Sequence, residues 1–228
     1  MAVETSETAV PPFWLSLPPG FSSLDLDEDP GDRMERTAEI LDTVFPTARP
    51  EQRLSVVIAA ETALQAQLRE GAVHVSSCLV RAEDGEPVHG TFTLFVRPQE
   101  LGPRDTYPDR VAGELAAAWP DADVGVVDLP LGRAALAARD LTASVPGVVW
   151  GVPESSVSTV RQLELLIPHP WSPHVLAAVF TTEDLDYWPE WLPLLATAFR
   201  GISFHPPRDT SLDDLPPEQW DNIRKAFG

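Results

Sequence analysis

Residues 73–97 read VHVSSCLVRAEDGEPVHGTFTLFVR and contain two segments in which apolar and polar residues alternate. Alternation with a period of two is typical of β-strands, because successive side chains of a strand point to opposite faces of a sheet. Between the two segments lies Asp84-Gly85, a dipeptide that favours a tight turn between antiparallel strands. The stretch therefore predicts a β-hairpin.

The rest of the chain alternates between patterns of helices and patterns of strands. Apolar residues spaced by three and four predict helices, and prolines favour the starts of several of them. Together with the hairpin, these elements predict an α+β fold, in which an antiparallel sheet of about six strands carries helices on its faces. The predicted helices are 30–45, 50–69, 108–119 and 185–199, the further strands are 124–129, 132–141, 160–167, 174–181 and a short 202–204, and a loop is predicted over 142–158.

Length and proline content predict the domain organisation. The chain has 228 residues, which suits a single domain with a substantial core, predicted here over 13–205. Residues 1–12 are small and polar and predict a disordered arm. Residues 206–228 form an acidic tail in which 217–227 has the pattern of a short helix.

The charge of the chain restricts its partners. A formal net charge of −19 arises from 35 acidic and 16 basic residues, and such a field repels nucleic acids and anionic membranes. No apolar run is long enough for a transmembrane helix, so no membrane insertion is expected. Glu4 and Glu7 stand where a signal peptide would carry positive charge, which predicts a cytoplasmic protein.

Several enzyme classes lack their sequence markers. Lys225 is the only lysine, and neither a GxxxxGK phosphate loop, nor a GxSxG nucleophile elbow, nor a GxGxxG dinucleotide motif occurs. The single cysteine, Cys78, lies in an apolar strand pattern and is expected to be a buried thiol. No catalytic residue and no cofactor is therefore assigned.

Metal-binding patterns are weak as well. Asp25, Asp27 and Asp29 resemble the first ligands of a calcium loop, but Pro30 and Arg36 stand where that loop needs glycine and a bidentate glutamate. The five histidines lack the close spacing of a zinc site. No metal site is predicted from these residues.

The seven tryptophans supply the candidate binding residues. Trp119 and Trp188 fall on apolar helix stripes and are expected in the core, with Trp191 at the edge of the second stripe. Tryptophans outside regular elements either complete a core or anchor a partner. In the tail, Trp220, Ile223 and Phe227 have the spacing of an apolar helix face. The predicted partner-binding residues are Trp150, Trp171, Trp220, Ile223 and Phe227.

Part of the chain, about residues 72–205, resembles the Mog1/PsbP-like superfamily. The similarity lies in the order of helices and strands, in the paired segments LELLIPHP and VLAAVFTTEDL, and in the closing segment WPEWLPLLATAFRGISF. Thr181, Thr182 and 202–204 match the way these proteins pass from strand to helix to a short aromatic strand, and LPPGF at 17–21 looks like their extended N-terminal segment. The resemblance implies an αβα sandwich and a non-enzymatic role as an adaptor, assembly factor or chaperone.

The sequence as a whole therefore favours a protein-binding adaptor or chaperone-like accessory protein of the bacterial cytoplasm. Its acidic surface favours a protein partner with a basic surface, and a homodimer is left open. Two alternatives remain: a hydrolase that uses converged carboxylates with His169 or His174, and a protein that binds a small ligand. An enclosed pocket with a perturbed titratable group favours an enzyme, whereas an exposed sheet edge or shallow groove favours an adaptor.

Overall fold

The computed structural model describes residues 11–44, 46–145 and 156–206. Within these ranges the chain forms four α-helices, nine β-strands and one 3-10 turn. In chain order they are β1 (Trp14–Leu15), β2 (Phe21–Ser23), α1 (Pro30–Val44), α2 (Pro50–Arg69), β3 (Ala72–Arg81), β4 (Pro87–Pro98), α3 (Tyr107–Ala118), β5 (Asp123–Leu129), β6 (Gly132–Val145), β7 (Ser156–Pro168), β8 (His174–Thr182), the 3-10 turn (Leu185–Tyr187), α4 (Trp188–Arg200) and β9 (Ile202–Ser203).

Seven of the strands form one antiparallel sheet, in the order β2-β3-β4-β8-β7-β6-β5. The α+β class with an antiparallel sheet is confirmed, and the strand beyond the predicted six is β2, which pairs with Ser76–Cys78 of β3. The predicted short strand near 202 is β9, which pairs with β1 in a separate two-stranded sheet. Because β8 lies in the centre of the main sheet, most of its side chains are buried on both faces, which explains its continuous apolar sequence.

Helices cover both faces of the sheet. On one face, Trp191 and Leu195 of α4 pack over the largest hydrophobic cluster, which includes Phe92, Leu165 and Phe180. The opposite face has two smaller clusters, one under α2 and one under α3. The layers are therefore helix, sheet and helix, as in a sandwich.

The buried stripe of α4 differs from the sequence prediction. The predicted stripe includes Trp188 and Leu192, but Leu192 is exposed and Trp188 is half-buried. Trp191, predicted at the edge of the stripe, is fully buried instead. Leu195 and Phe199 of the predicted stripe are buried, so the buried face of α4 follows residues 191, 195, 198 and 199, and residues 185–187 form a 3-10 turn before the helix.

Cys78 is a buried core thiol, as predicted, and has no exposed surface. Burial raises the pKa of its thiol to about 11, so the reactive thiolate is scarce at neutral pH. We expect the native protein to resist alkylation by iodoacetamide at pH 8, whereas protein unfolded in urea is fully labelled. Mass spectrometry of the intact protein measures the difference, and full labelling of the native protein within minutes would contradict the buried position.

Candidate protein-interaction site

The β6–β7 pair continues beyond the strands on either side of it. β5 pairs with β6 only as far as Asp123↔Ala138, and β8 pairs with β7 only as far as Thr182↔Arg161. β6 and β7 remain paired with each other up to Val145↔Ser156. Among the described residues, 139–145 and 156–160 therefore have a strand neighbour on one side only, over a length of roughly 20 Å. We call these two segments the ribbon arm.

The ribbon arm corrects one sequence prediction. Residues 142–158 were expected to form a loop, but the structure continues β6 to Val145 and begins β7 at Ser156. The loop is predicted from Gly147, Trp150, Gly151 and Pro153, whereas the residues on either side of them pair with one another across the ribbon. Trp150, a predicted binding residue, lies between the two segments and outside the described residues.

The ribbon arm also differs from the rest of the chain in charge. Residues 141–160 contain a single charged residue, Glu154, although 22% of the whole chain is charged. Val157 is 71% exposed, and Thr142 and Thr159 are exposed as well. Open strand edges invite pairing with another chain, and the cores of protein interfaces are depleted of charge. The ribbon arm thus combines an open strand edge with a low content of charge, and both properties are typical of an interaction surface.

A cleft of about 600 Å³ lies at the base of the ribbon arm, where α3 ends and β5 begins. We call it the edge cleft, and two tryptophan–arginine pairs line it. The guanidinium of Arg139 lies 3.5 Å from the ring centre of Trp119, and that of Arg161 lies 5.3 Å from the ring centre of Trp188. Cation–π contacts of this kind hold an arginine in place without neutralising its charge.

The two arginines of the edge cleft differ in their partners. Arg161 forms a bidentate ion pair with Asp140, with N–O distances of 2.6 and 2.8 Å, which lowers the pKa of that carboxyl. Arg139 has no hydrogen bond or ion pair within the described part of the chain, and its Nε atom is buried without a partner. Asp121 and Asp123 are exposed on the rim.

One further carboxyl lies near Arg139. Glu164 is half-buried on β7, and burial raises the pKa of its side chain, while the charges of Arg97 and Arg139 oppose that rise. It makes no ion pair with either arginine in the described residues. The positive charge of Arg139 is therefore left without a direct counterion there.

Trp171 is the one predicted binding residue that the structure describes. Its side chain is 62% exposed and contacts the rings of His169 and His205 edge-to-face. It lines a second groove of about 310 Å³, which also includes Arg200 and Phe204, and it is not part of the edge cleft. The other predicted residues of the tail, Trp220, Ile223 and Phe227, lie outside the described residues.

The histidines of the hydrolase alternative are both buried. The pKa of His169 is lowered mainly by burial, and its Nδ1 accepts a hydrogen bond from the backbone N–H of Trp171 at 3.3 Å. Nδ1 of His174 lies 3.1 Å from the hydroxyl of Ser172. Neither ring has a carboxylate partner in the part of the chain that the structure describes, so neither has the carboxylate that orients a catalytic imidazole in a triad.

A serine–histidine contact elsewhere is also incomplete. Nε2 of His89 lies 3.1 Å from the hydroxyl of Ser77. The nearby carboxylate of Asp184, however, accepts a hydrogen bond from the backbone N–H of His89 and not from its ring. In the described ranges, no group of three or more His, Cys, Asp or Glu side chains is arranged to hold a metal ion. No described helix is long and apolar enough to span a membrane.

Comparison with known proteins adds no relative: no family model, no curated protein and no solved structure matches this chain. The residues of the edge cleft were missed at the sequence level, because Trp119 and Trp188 fit helix stripes. The charge pattern of the sequence could have located this site. The charge-poor stretch 141–160 is bounded by Asp140 and Arg161, which pair across the base of the ribbon arm.

Proposed function

We propose that this protein is a non-enzymatic adaptor or chaperone-like accessory protein of the bacterial cytoplasm, which binds an extended segment of a partner protein at the ribbon arm. The observation that carries the proposal is the free outer edge of β6 at 139–145, beside the edge cleft and on a charge-poor ribbon. Strand addition to such an edge supplies main-chain hydrogen bonds for affinity and alternating side-chain contacts for specificity.

The acidic body favours a partner with a basic surface. With a net charge of −19, the protein attracts basic proteins over long range and raises their association rate at low salt. The ribbon arm itself carries almost no charge, so pairing there does not require burial of charged groups. In this proposal, the acidic body attracts the partner over long range, and the ribbon arm binds it.

Thr142→Lys tests the docking surface. Thr142 is exposed on the free segment of β6, so this change is expected to alter the free energy of unfolding by about 0.5 kcal/mol or less. A lysine on an edge strand opposes the addition of another strand and repels a basic partner, so we expect the amount of partner captured from the native host to fall about tenfold or more. Quantitative mass spectrometry of the captured proteins measures the loss.

Leu79→Lys is the control, because Leu79 is 62% exposed on β3 of the same sheet, away from the ribbon arm. It should capture the same partner as the wild type. A partner retained equally by all three proteins would place binding elsewhere, for example at Trp171. Light scattering on the purified protein decides whether the bound segment comes from a second copy, since Thr142→Lys would then convert a dimer to a monomer.

A further inference from the structure

Arg139 stands out among the arginines that the structure describes. Most of them donate a hydrogen bond or form an ion pair, in a chain with 35 acidic and 16 basic residues. Arg139 and Arg200 do neither with any described residue, and of the two only Arg139 is half-buried, with its Nε atom shielded from solvent. Stacking on Trp119 fixes the plane of its guanidinium beside the edge cleft. A desolvated, oriented and unpaired guanidinium is suited to a bidentate anion.

The direction of the strands indicates which anion would reach Arg139. β5 runs antiparallel to β6 and starts at Asp123, opposite Ala138. A segment that adds antiparallel to the free part of β6 continues the line of β5 and runs in the same direction. It therefore travels from the Val145 end towards the Arg139 end, and its C-terminus meets the edge cleft. Antiparallel strand addition thus delivers a terminal carboxylate to the unpaired arginine.

We propose that the edge cleft binds the C-terminal carboxylate of the partner segment, with Arg139 as its ligand. This inference rests on the proposed function, because it requires that a partner strand pairs with β6. The cleft volume of about 600 Å³ lies in the range of sites that hold a few residues of a peptide. The protein would then recognise partners whose basic sequence ends in a strand with a free C-terminus.

The acidic groups of the cleft set the rest of the specificity. Asp140 is neutralised by Arg161, whereas Asp121 and Asp123 on the rim are exposed. Exposed charges are screened by water and act more weakly than the desolvated charge of Arg139. The rim carboxylates favour a lysine or arginine side chain close to the C-terminus of the segment.

The test uses random seven-residue peptides, which match the length of the 139–145 edge, displayed on phage with free C-termini and selected on the full-length protein. A selected peptide is then synthesised with a free carboxylate and with a C-terminal amide. Fluorescence anisotropy gives both dissociation constants for the wild type and for Thr142→Lys, Arg139→Gln and Arg200→Gln.

We expect the amide to bind the wild type about tenfold or more weakly than the acid, since a charge-assisted bidentate contact is lost. Arg139→Gln should weaken the binding of the free-acid peptide by a similar factor, so that the acid and the amide bind equally well. Arg200→Gln, which removes the exposed unpaired arginine, should leave both constants unchanged.

The outcomes separate this inference from the proposed function. Acid and amide that bind equally well, and are both weakened by Thr142→Lys, would overturn carboxylate recognition and leave strand addition in place. If no selected peptide is sensitive to Thr142→Lys, strand addition itself is wrong and the inference falls with it. A peptide selected through an internal acidic side chain, with no preference for the free acid, would assign Arg139 to a side chain and also contradict the proposal.

Discussion

Replacing Trp191 by alanine is expected to lower the free energy of unfolding by about 3–5 kcal/mol. The side chain is 1% exposed, and its ring centre lies 4.9 Å from that of Phe180 in the largest hydrophobic cluster. Its loss leaves a large cavity between α4 and the sheet. Since single domains are stable by only about 5–15 kcal/mol, this loss removes between about a fifth and all of the stability. Urea denaturation followed by far-ultraviolet circular dichroism measures the change.

Trp191→Phe is the informative control. Nε1 of Trp191 is buried without a hydrogen-bond partner in the described residues, and an unsatisfied N–H of this kind costs about 1–3 kcal/mol. Phenylalanine keeps an aromatic ring against Phe180 and removes the N–H, so its net cost should be less than half that of alanine. Trp171→Ala, at an exposed tryptophan, should cost about 0.5 kcal/mol or less. Equal losses for Trp191→Phe and Trp191→Ala would show that the indole N–H has a partner.

The fold was largely accessible from the sequence because most elements have one strongly periodic pattern. The hairpin of β3 and β4 has alternation and a turn dipeptide that agree, and α2 begins and ends where Pro50 and Gly71 predict. β2 was not predicted, since three residues carry too little periodicity. It is defined by its partner β3, and such long-range pairing has no local signature.

The candidate site was less accessible, for physical reasons. The strand segments of the ribbon arm are short and contain few large apolar residues, so the alternation that identifies buried strands is weak in them. Trp119 and Trp188 keep the helical spacing of core residues, yet each is half-buried beside an arginine. The spacing of residues reveals which face of a helix they occupy, but it does not reveal where the sheet that covers this face ends.

The arrangement of charge gives the proposed function a further physical basis. An acidic surface keeps copies of this protein apart, because two bodies of charge −19 repel each other. An open edge with β-branched residues and little charge is otherwise a risk for self-association. Under the proposed function, the acidic body keeps copies of this edge apart, while a basic partner would still be attracted to the molecule. High salt should therefore both weaken partner binding and increase self-association.

Arg33→Met is the second change for which we expect a loss of about 3–5 kcal/mol in the free energy of unfolding. Arg33 is 4% exposed and forms a bidentate ion pair with Glu61, with N–O distances of 2.9 and 2.8 Å, which ties α1 to α2. It also donates hydrogen bonds to the carbonyls of Asp25 and Glu28. Without it, the Glu61 carboxylate is left largely buried, with no counterion and with only the amide of Gln65 donating a hydrogen bond to it among the described residues.

A double-mutant cycle with Glu61→Leu separates these contributions. Removing both charges replaces the ion pair with apolar contact, so Arg33→Met/Glu61→Leu should recover about 1–3 kcal/mol of the loss. The remaining loss reports the two hydrogen bonds of Arg33 to the carbonyls of Asp25 and Glu28, at about 1 kcal/mol each. If the stability losses of the two single variants add up to the loss of the double variant, Arg33 and Glu61 are not energetically coupled.

The pH dependence of the same variants supplies an independent check. The ion pair holds the pKa of Glu61 below its ordinary value, so its contribution to stability is complete above that value and is lost as the pH falls through the lowered pKa. The difference in unfolding free energy between wild type and Arg33→Met should therefore be largest near neutral pH and shrink in acid. The double variant lacks both charges, and its difference from the wild type should shrink much less, because the two carbonyl contacts of Arg33 do not titrate.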